Sequence, residues 1–371
     1  MNAADSFSAT YAEARDKFRA TVAEAGGQSE AIAHPETGPG GGDLSTDIAW
    51  FGPRDAEAVL VTISATHGVE GFCGSGAQID WLRRGEAARL SGGVAALLVH
   101  AINPYGFAWL RRVTQENVDL NRNWIDFSAP LPENPGYDAL GAAICPGDWG
   151  EAAQAQAAAA LAAWAAEQGF PALQQALSGG QYRHPQGIFF GGAGPTWSRS
   201  TQTKIFVEWL AQAQRIGVID YHTGLGPWGY GEQIVTERRG SEAFQRAASW
   251  YGAAITSPAD GSSTSAEITG DGLGAAPQLA AHAQVTGMAL EVGTQSIQQV
   301  LDVLRADAWL HAHGDPSSAQ GRKIKAQMRA AFYGDADDWK GMVAGQSLLA
   351  CRQALKGLAA PADVYRSRSG A

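Results

Sequence analysis

Three short runs of apolar residues end in an ionisable side chain. AVLVTISA (58–65) leads into His67, RIGVIDYH (215–222) ends at His222, and VTGMALEVG (285–293) carries Glu291. Runs of this length, polar only near their last positions, predict strands buried on both faces. VAALLVHAI (94–102) is a fourth, stopped by Asn103-Pro104, and DIAWFG and EQIVTE are weaker candidates. Between them the apolar spacing turns helical. Helices are predicted over residues 6–24, Gly74–Arg84, 151–168, QTKIFVEWLAQAQ, SEAFQRAASWYG, SIQQVLDVLRADAWLHAH and Arg322–Phe332. GQSEAIAHPETGPGGGDLS reads as a loop, and residues 105–150 read mainly as long loops. Strands alternating with helices predict an α/β layered sheet, and charge confined to strand ends fits ligand binding at the carboxyl edge.

Composition narrows the partners. The 371 residues are 45% hydrophobic and only 17% charged, with a net charge of −10. An acidic surface repels phosphate backbones, so nucleic acid is excluded as a partner class. No apolar run reaches membrane-spanning length, and the first residues lack a signal-type apolar core. The expectation is a cytoplasmic protein of one domain. Cys73, Cys145 and Cys351 form neither a disulfide framework nor a CxxC site and read as small buried hydrophobes.

Candidate chemistry gathers at the strand ends. His67 and Glu70 lie in one turn after a strand, close enough to grip one ion, and His222 stands where a third ligand belongs. Asp220 is a candidate partner for the His222 ring. An isolated HxxE pair is more often a solvated loop pair. In residues 106–124, Arg111, Arg112, Asn121 and Arg122 crowd together. Guanidinium forks suit carboxylates, and an arginine near a metal polarises a carbonyl; the alternative is a salt-bridge network with Glu116 and Asp119. Glu291 is costly to bury without a task. It is either a general base beside an activated water or one half of a salt bridge. Other signals carry less. His100 reads as a core histidine, His311 and His313 as favourable charges at a helix end, and Cys73-Gly-Ser75-Gly as a helix start without the first glycine of a nucleophile elbow.

Taken in order, His67-x-x-Glu70, Asn103-Pro104-x-Gly106, Arg112, Asp119-Leu-Asn121-Arg122-Asn123, Asp220-x-His222 and Glu291 resemble the zinc carboxypeptidase superfamily. That superfamily includes carboxypeptidase A-like enzymes and the succinylglutamate desuccinylase/aspartoacylase branch. DYHTGLG, LEVGT and GGAGPTWS are similar to a bacterial branch of it. The resemblance implies a three-layer α/β/α sandwich around a mixed, mostly parallel sheet. It implies one Zn2+ held by His67, Glu70 and His222, with Arg112 stabilising the oxyanion and Glu291 promoting water. Asn121 and Arg122, with Arg111 beside them, would grip the free carboxylate of a peptide or an N-acyl amino acid. The implied activity is a metallocarboxypeptidase, with an N-acyl amino acid deacylase or a non-catalytic binding protein as alternatives. Two departures stand out. The loop ADGSSTSAEITGDGLGAAPQ lacks the family's substrate-capping tyrosine, leaving Tyr230 and Tyr251 as substitutes, and residues 125–203 look like an inserted lid or rim.

Overall fold

A computed structural model describes residues 2–360. Seven strands, β1 (Gln28–Thr37), β2 (Asp43–Phe51), β3 (Ala58–Ile63), β4 (Val94–His100), β5 (Arg215–Gly224), β6 (Gly231–Ile234) and β7 (Gln284–Gly293), form one sheet in the order β1-β2-β4-β3-β5-β7-β6. The neighbouring pairs among β4, β3, β5 and β7 are parallel, and the outer pairs are antiparallel. Every residue of β3 and β4 is buried, which is why both read as continuous apolar runs.

The two-residue period of these strands builds two cores. Ala58 and Leu60 face helices Tyr11–Glu24, Gly71–Arg83, Glu242–Tyr251 and Asp337–Ala359. Val59, Val61 and Ile63 face the opposite way, against Trp197–Trp209 and Gly272–Leu279. Each large aliphatic side chain removed from water contributes about 1.5–3 kcal/mol. A sheet apolar on both faces must be covered on both, hence the α/β/α sandwich. No helix among the described residues is long and apolar enough to cross a membrane.

The structure differs from the sequence expectations in several elements and in one charge. Residues 28–37 are an edge strand, not a loop. They are largely exposed and lack a buried stripe, and their conformation is set by pairing with β2. The stretch 105–150 contains a helix, Pro135–Ile144. Asn134 caps it by accepting from the Tyr137 amide, as Asn103 caps Pro104–Ala108 through the Gly106 amide. Each Asn-Pro pair therefore starts a helix as well as ending what precedes it. Helices Phe170–Ser178 and Asp337–Ala359 were not among the predicted elements. His311 is not a positive charge at a helix end, because burial and the nearby Arg111 and Lys325 push its imidazole down to about 3.

His100 is the core histidine expected. Its Nε2 meets Ser75 Oγ at 2.9 Å and its ring stacks on Phe18. Burial pushes it down to about 4, from an ordinary 6.5 or so in an unfolded chain. Between these values the unfolded chain binds a proton that the folded chain refuses. This contribution to stability is complete above about pH 6.5 and is lost as pH falls towards 4. It amounts to about 2–3 kcal/mol between pH 7 and 4.5. Urea unfolding across that range should show a steeper acid loss for the wild type than for His100→Gln, and equal slopes would refute it.

Candidate metal centre and active site

The sheet order reverses at β3. From β3 the chain crosses to β4 on one side, and its next strand, β5, lies on the other. The crevice at such a switch point, outside the carboxyl ends of parallel strands, is where open α/β sheets bind ligands. His67 and Glu70 follow β3, and His222 lies near the end of β5.

The turn after β3 is held by main-chain hydrogen bonds. The amides of Gly68 and Val69 donate to the carbonyls of Arg112 and Arg111 at 3.0 and 2.8 Å. A Cβ at Gly68 would lie 2.0 Å from the Gly106 carbonyl carbon, so only glycine lets the two loops meet. This contact brings Arg112 beside Glu70. The parallel register of β5 and β7 pairs His222 with Glu291, placing their side chains on one face of adjacent strands about 4.8 Å apart.

His67, Glu70 and His222 are buried, and their ligand atoms all lie within 4.8 Å of one another. His67 Nδ1 is 3.0 Å from Glu70 Oε1, and His222 Nδ1 is 3.1 Å from Glu70 Oε2. The two Nδ1 atoms face each other at 3.2 Å. Their opposite nitrogens are engaged by carboxylates, His67 Nε2 with Asp119 at 3.1 Å and His222 Nε2 with Asp220 at 2.9 Å. Thr66 Oγ1 in turn donates to Asp220 at 2.8 Å. With a proton on each Nε2, both Nδ1 lone pairs and a carboxylate point at one spot. That arrangement repels itself unless a positive charge sits there. The same demand shows in His222: burial opposes its charge, yet Asp220 and Glu70 hold its proton well above the ordinary imidazole range. A divalent cation can take the place of that proton, and neutral imidazoles braced by carboxylates are the form in which histidines bind one. The residues therefore fit a metal.

Arg112 Nε donates to Asp119 Oδ2 at 2.9 Å and Nη1 to Glu70 Oε1 at 3.1 Å. Burial would raise the Asp119 carboxyl, but Arg112 and His67 hold it well below its usual range. No cationic side chain among the described residues forms an ion pair with Glu291. Its Oε1 accepts from the Leu225 amide at 3.0 Å, while burial, then the charge of Glu70, push its carboxyl up to about 7. A carboxylate there exchanges its proton near neutral pH, as a general base should.

Arg122 is 3% exposed. It donates to the carbonyls of Asn121 and Ser178, and its Nε has no hydrogen-bond partner among the described residues. Asn121 accepts from the Gly272 amide through Oδ1 at 3.1 Å. Both line a cavity of about 250 Å³ together with Arg112, His67, His222 and Glu291. Arg111 is placed elsewhere. It bonds to Asp307 at 3.0 Å and Asn117 at 2.8 Å and is absent from the cavity wall. Its guanidinium is committed to a buried ion pair. Tyr251 is buried in the core and Tyr230 is exposed, and neither lines the cavity.

Sequence reasoning missed one role in the site. Asp119, expected as a partner for arginine, also orients His67; its place two residues before Asn121 is the signal for it. The segment 125–203, read from the sequence as a lid or rim, contributes Phe170, Leu173, Leu177 and Phe189 to the cavity.

Residues 7–346 match a family profile described as "Protein of unknown function (DUF2817)". The chain belongs to the DUF2817 family. No curated protein matches it. Among solved structures, this DUF2817 chain is similar to carboxypeptidase A from Helicoverpa armigera. The identity is 12%, over 87% of this chain and 74% of that one, with a TM-score of 0.46. It is also similar to bovine thrombin-activatable fibrinolysis inhibitor, solved with tick carboxypeptidase inhibitor (9%, 93% and 97%, TM-score 0.41). A third likeness is to an aspartoacylase family protein from Mesorhizobium loti (12%, 72% and 61%, TM-score 0.35).

Proposed function

We propose that this protein is a zinc-dependent hydrolase of an amide bond next to a free carboxylate, of the metallocarboxypeptidase type. The observation that carries the reading is the convergence of His67 Nδ1, His222 Nδ1 and the Glu70 carboxylate on one point, each imidazole braced from behind by a carboxylate. Zinc held there would supply Lewis acidity and bring the pKa of water to about 7 from about 15.7 in bulk.

The chain's own residues do the rest. Arg122, buried and with an Nε unpartnered among the described residues, receives the substrate carboxylate, with Asn121 beside it. Arg112 points its guanidinium at the carbonyl oxygen, where negative charge develops. Glu291 takes a proton from water as the water oxygen bonds to the carbonyl carbon. As the C–N bond breaks, Glu291 passes that proton to the leaving nitrogen. The products are a carboxylic acid and an amine. Peptides and N-acyl amino acids both present this amide and this carboxylate.

The reading is tested by metal analysis followed by hydrolysis assays on C-terminal peptide libraries and N-acyl amino acids. One zinc per chain without turnover on either panel would favour a binding protein. Arg112→Ala should lower kcat by about 100- to 1,000-fold, the loss typical of one oxyanion donor. Metal content is measured on the same sample, because Arg112 also neutralises Glu70 and Asp119. A kcat within about tenfold of wild type at full metal occupancy would remove Arg112 from the mechanism.

A further inference from the structure

The cavity is far more apolar than the chemistry of its floor requires. Beyond the metal ligands and Arg122, much of its wall comes from helices Phe170–Ser178 and Ile297–His313. Leu173, Leu177, Val300 and Leu304 belong to one apolar cluster with Phe332. Phe332 sits at the reacting end, its carbonyl accepting from Thr223 Oγ1 at 2.6 Å. At the other extreme, Phe170 is 62% exposed and Ile297 48%, and both still line the cavity. An apolar track therefore runs from the site of bond cleavage to the surface.

We propose that this track holds an extended aliphatic acyl chain, making the substrate a long-chain N-acyl amino acid. The proposal rests on the hydrolase reading above and names its substrate class. Besides strand-end and loop residues such as Ile234, Thr236, Ser265 and Ile268, the cavity wall is made by two helices that carry Leu173, Leu177, Val300 and Leu304, and these helices are the deciding feature. Their interior amides and carbonyls already bond along the helix, so they present no open strand edge. An extended peptide brings one donor and one acceptor per residue, each costly to bury without a partner. Peptide grooves answer that need with a sheet edge or with side chains placed for it. A methylene chain brings no polar groups and gains from every contact. The amino acid's carboxylate goes to Arg122, the amide carbonyl to Arg112, and the acyl chain along Phe332, Leu304 and Val300 to the rim.

The test separates binding from turnover. Zinc-loaded, full-length Glu291→Gln protein is titrated calorimetrically with N-acetyl-, N-hexanoyl- and N-decanoyl-alanine, and with acetyl-Leu-Leu-Ala as the peptide arm. The expected result is a Kd falling about fourfold per methylene over the first few methylenes, with an increasingly negative heat-capacity change. Phe170→Ser with Ile297→Ser alters only exposed positions and should weaken decanoyl binding by about tenfold. A Kd independent of acyl length, or tight binding of the peptide alone, overturns the proposal. The same series is offered to the wild-type enzyme. Length-dependent binding without turnover sinks the hydrolase reading and leaves the acyl track standing, and turnover with flat binding does the reverse.

Discussion

Glu291→Gln is expected to abolish turnover while leaving one metal ion bound per chain. The amide is nearly isosteric with the carboxylate, and its oxygen can still accept from the Leu225 amide as Glu291 Oε1 does at 3.0 Å. Glu291 is outside the His67, Glu70 and His222 cluster, so the ligand geometry has no reason to change. What disappears is the one carboxylate of the site that exchanges its proton near neutrality, with a midpoint of about 7. Glu70 and Asp119 are held ionised by their histidine and arginine neighbours and cannot substitute. General acid–base catalysis contributes about 10²- to 10⁴-fold, and in the proposed mechanism the same group serves both half-reactions. The loss should therefore fall at or beyond the upper figure. Plasma emission gives the metal content of the sample that is assayed. Near-normal activity at full occupancy would refute the base assignment.

His222→Ala should release the metal and all activity with it. The substitution removes one of the three proposed ligands and leaves Asp220 with Thr66 as its remaining partner among the described residues. Loss of an outer partner of a ligand histidine typically costs 10- to 100-fold in metal affinity, and loss of the ligand itself should exceed that. A second readout does not depend on catalysis. Metal that binds only the folded chain raises its stability by about 2.7 kcal/mol at 100 times Kd. Added zinc should thus raise the melting temperature of the wild type and leave that of His222→Ala unmoved. A variant that still binds one zinc with wild-type affinity would remove His222 from the ligand set.

What the sequence determined by itself was the identity of the sheet's interior and the residues at its edge. AVLVTISA, VAALLVHAI, RIGVIDYH and VTGMALEVG announce buried parallel strands because a strand covered on both faces leaves no polar position except at its ends. The ionisable groups at those ends were legible for the same reason: burying His67, His222 or Glu291 without a task is expensive. Spacing that depends on solvent was harder to read. The edge strand 28–37 has no buried stripe, and Asp337–Ala359 was not among the predicted helices. The tertiary structure alone decided which charges meet. Arg111 and Arg112 are adjacent in sequence, yet one bonds to Asp307 across the fold and the other joins the site. The choice depends on where the loop after Pro104 docks against Gly68. The apolar track was equally hidden. Its walls come from residues about 130 positions apart, and a cavity is a property of how helices pack, which no local pattern of side chains records.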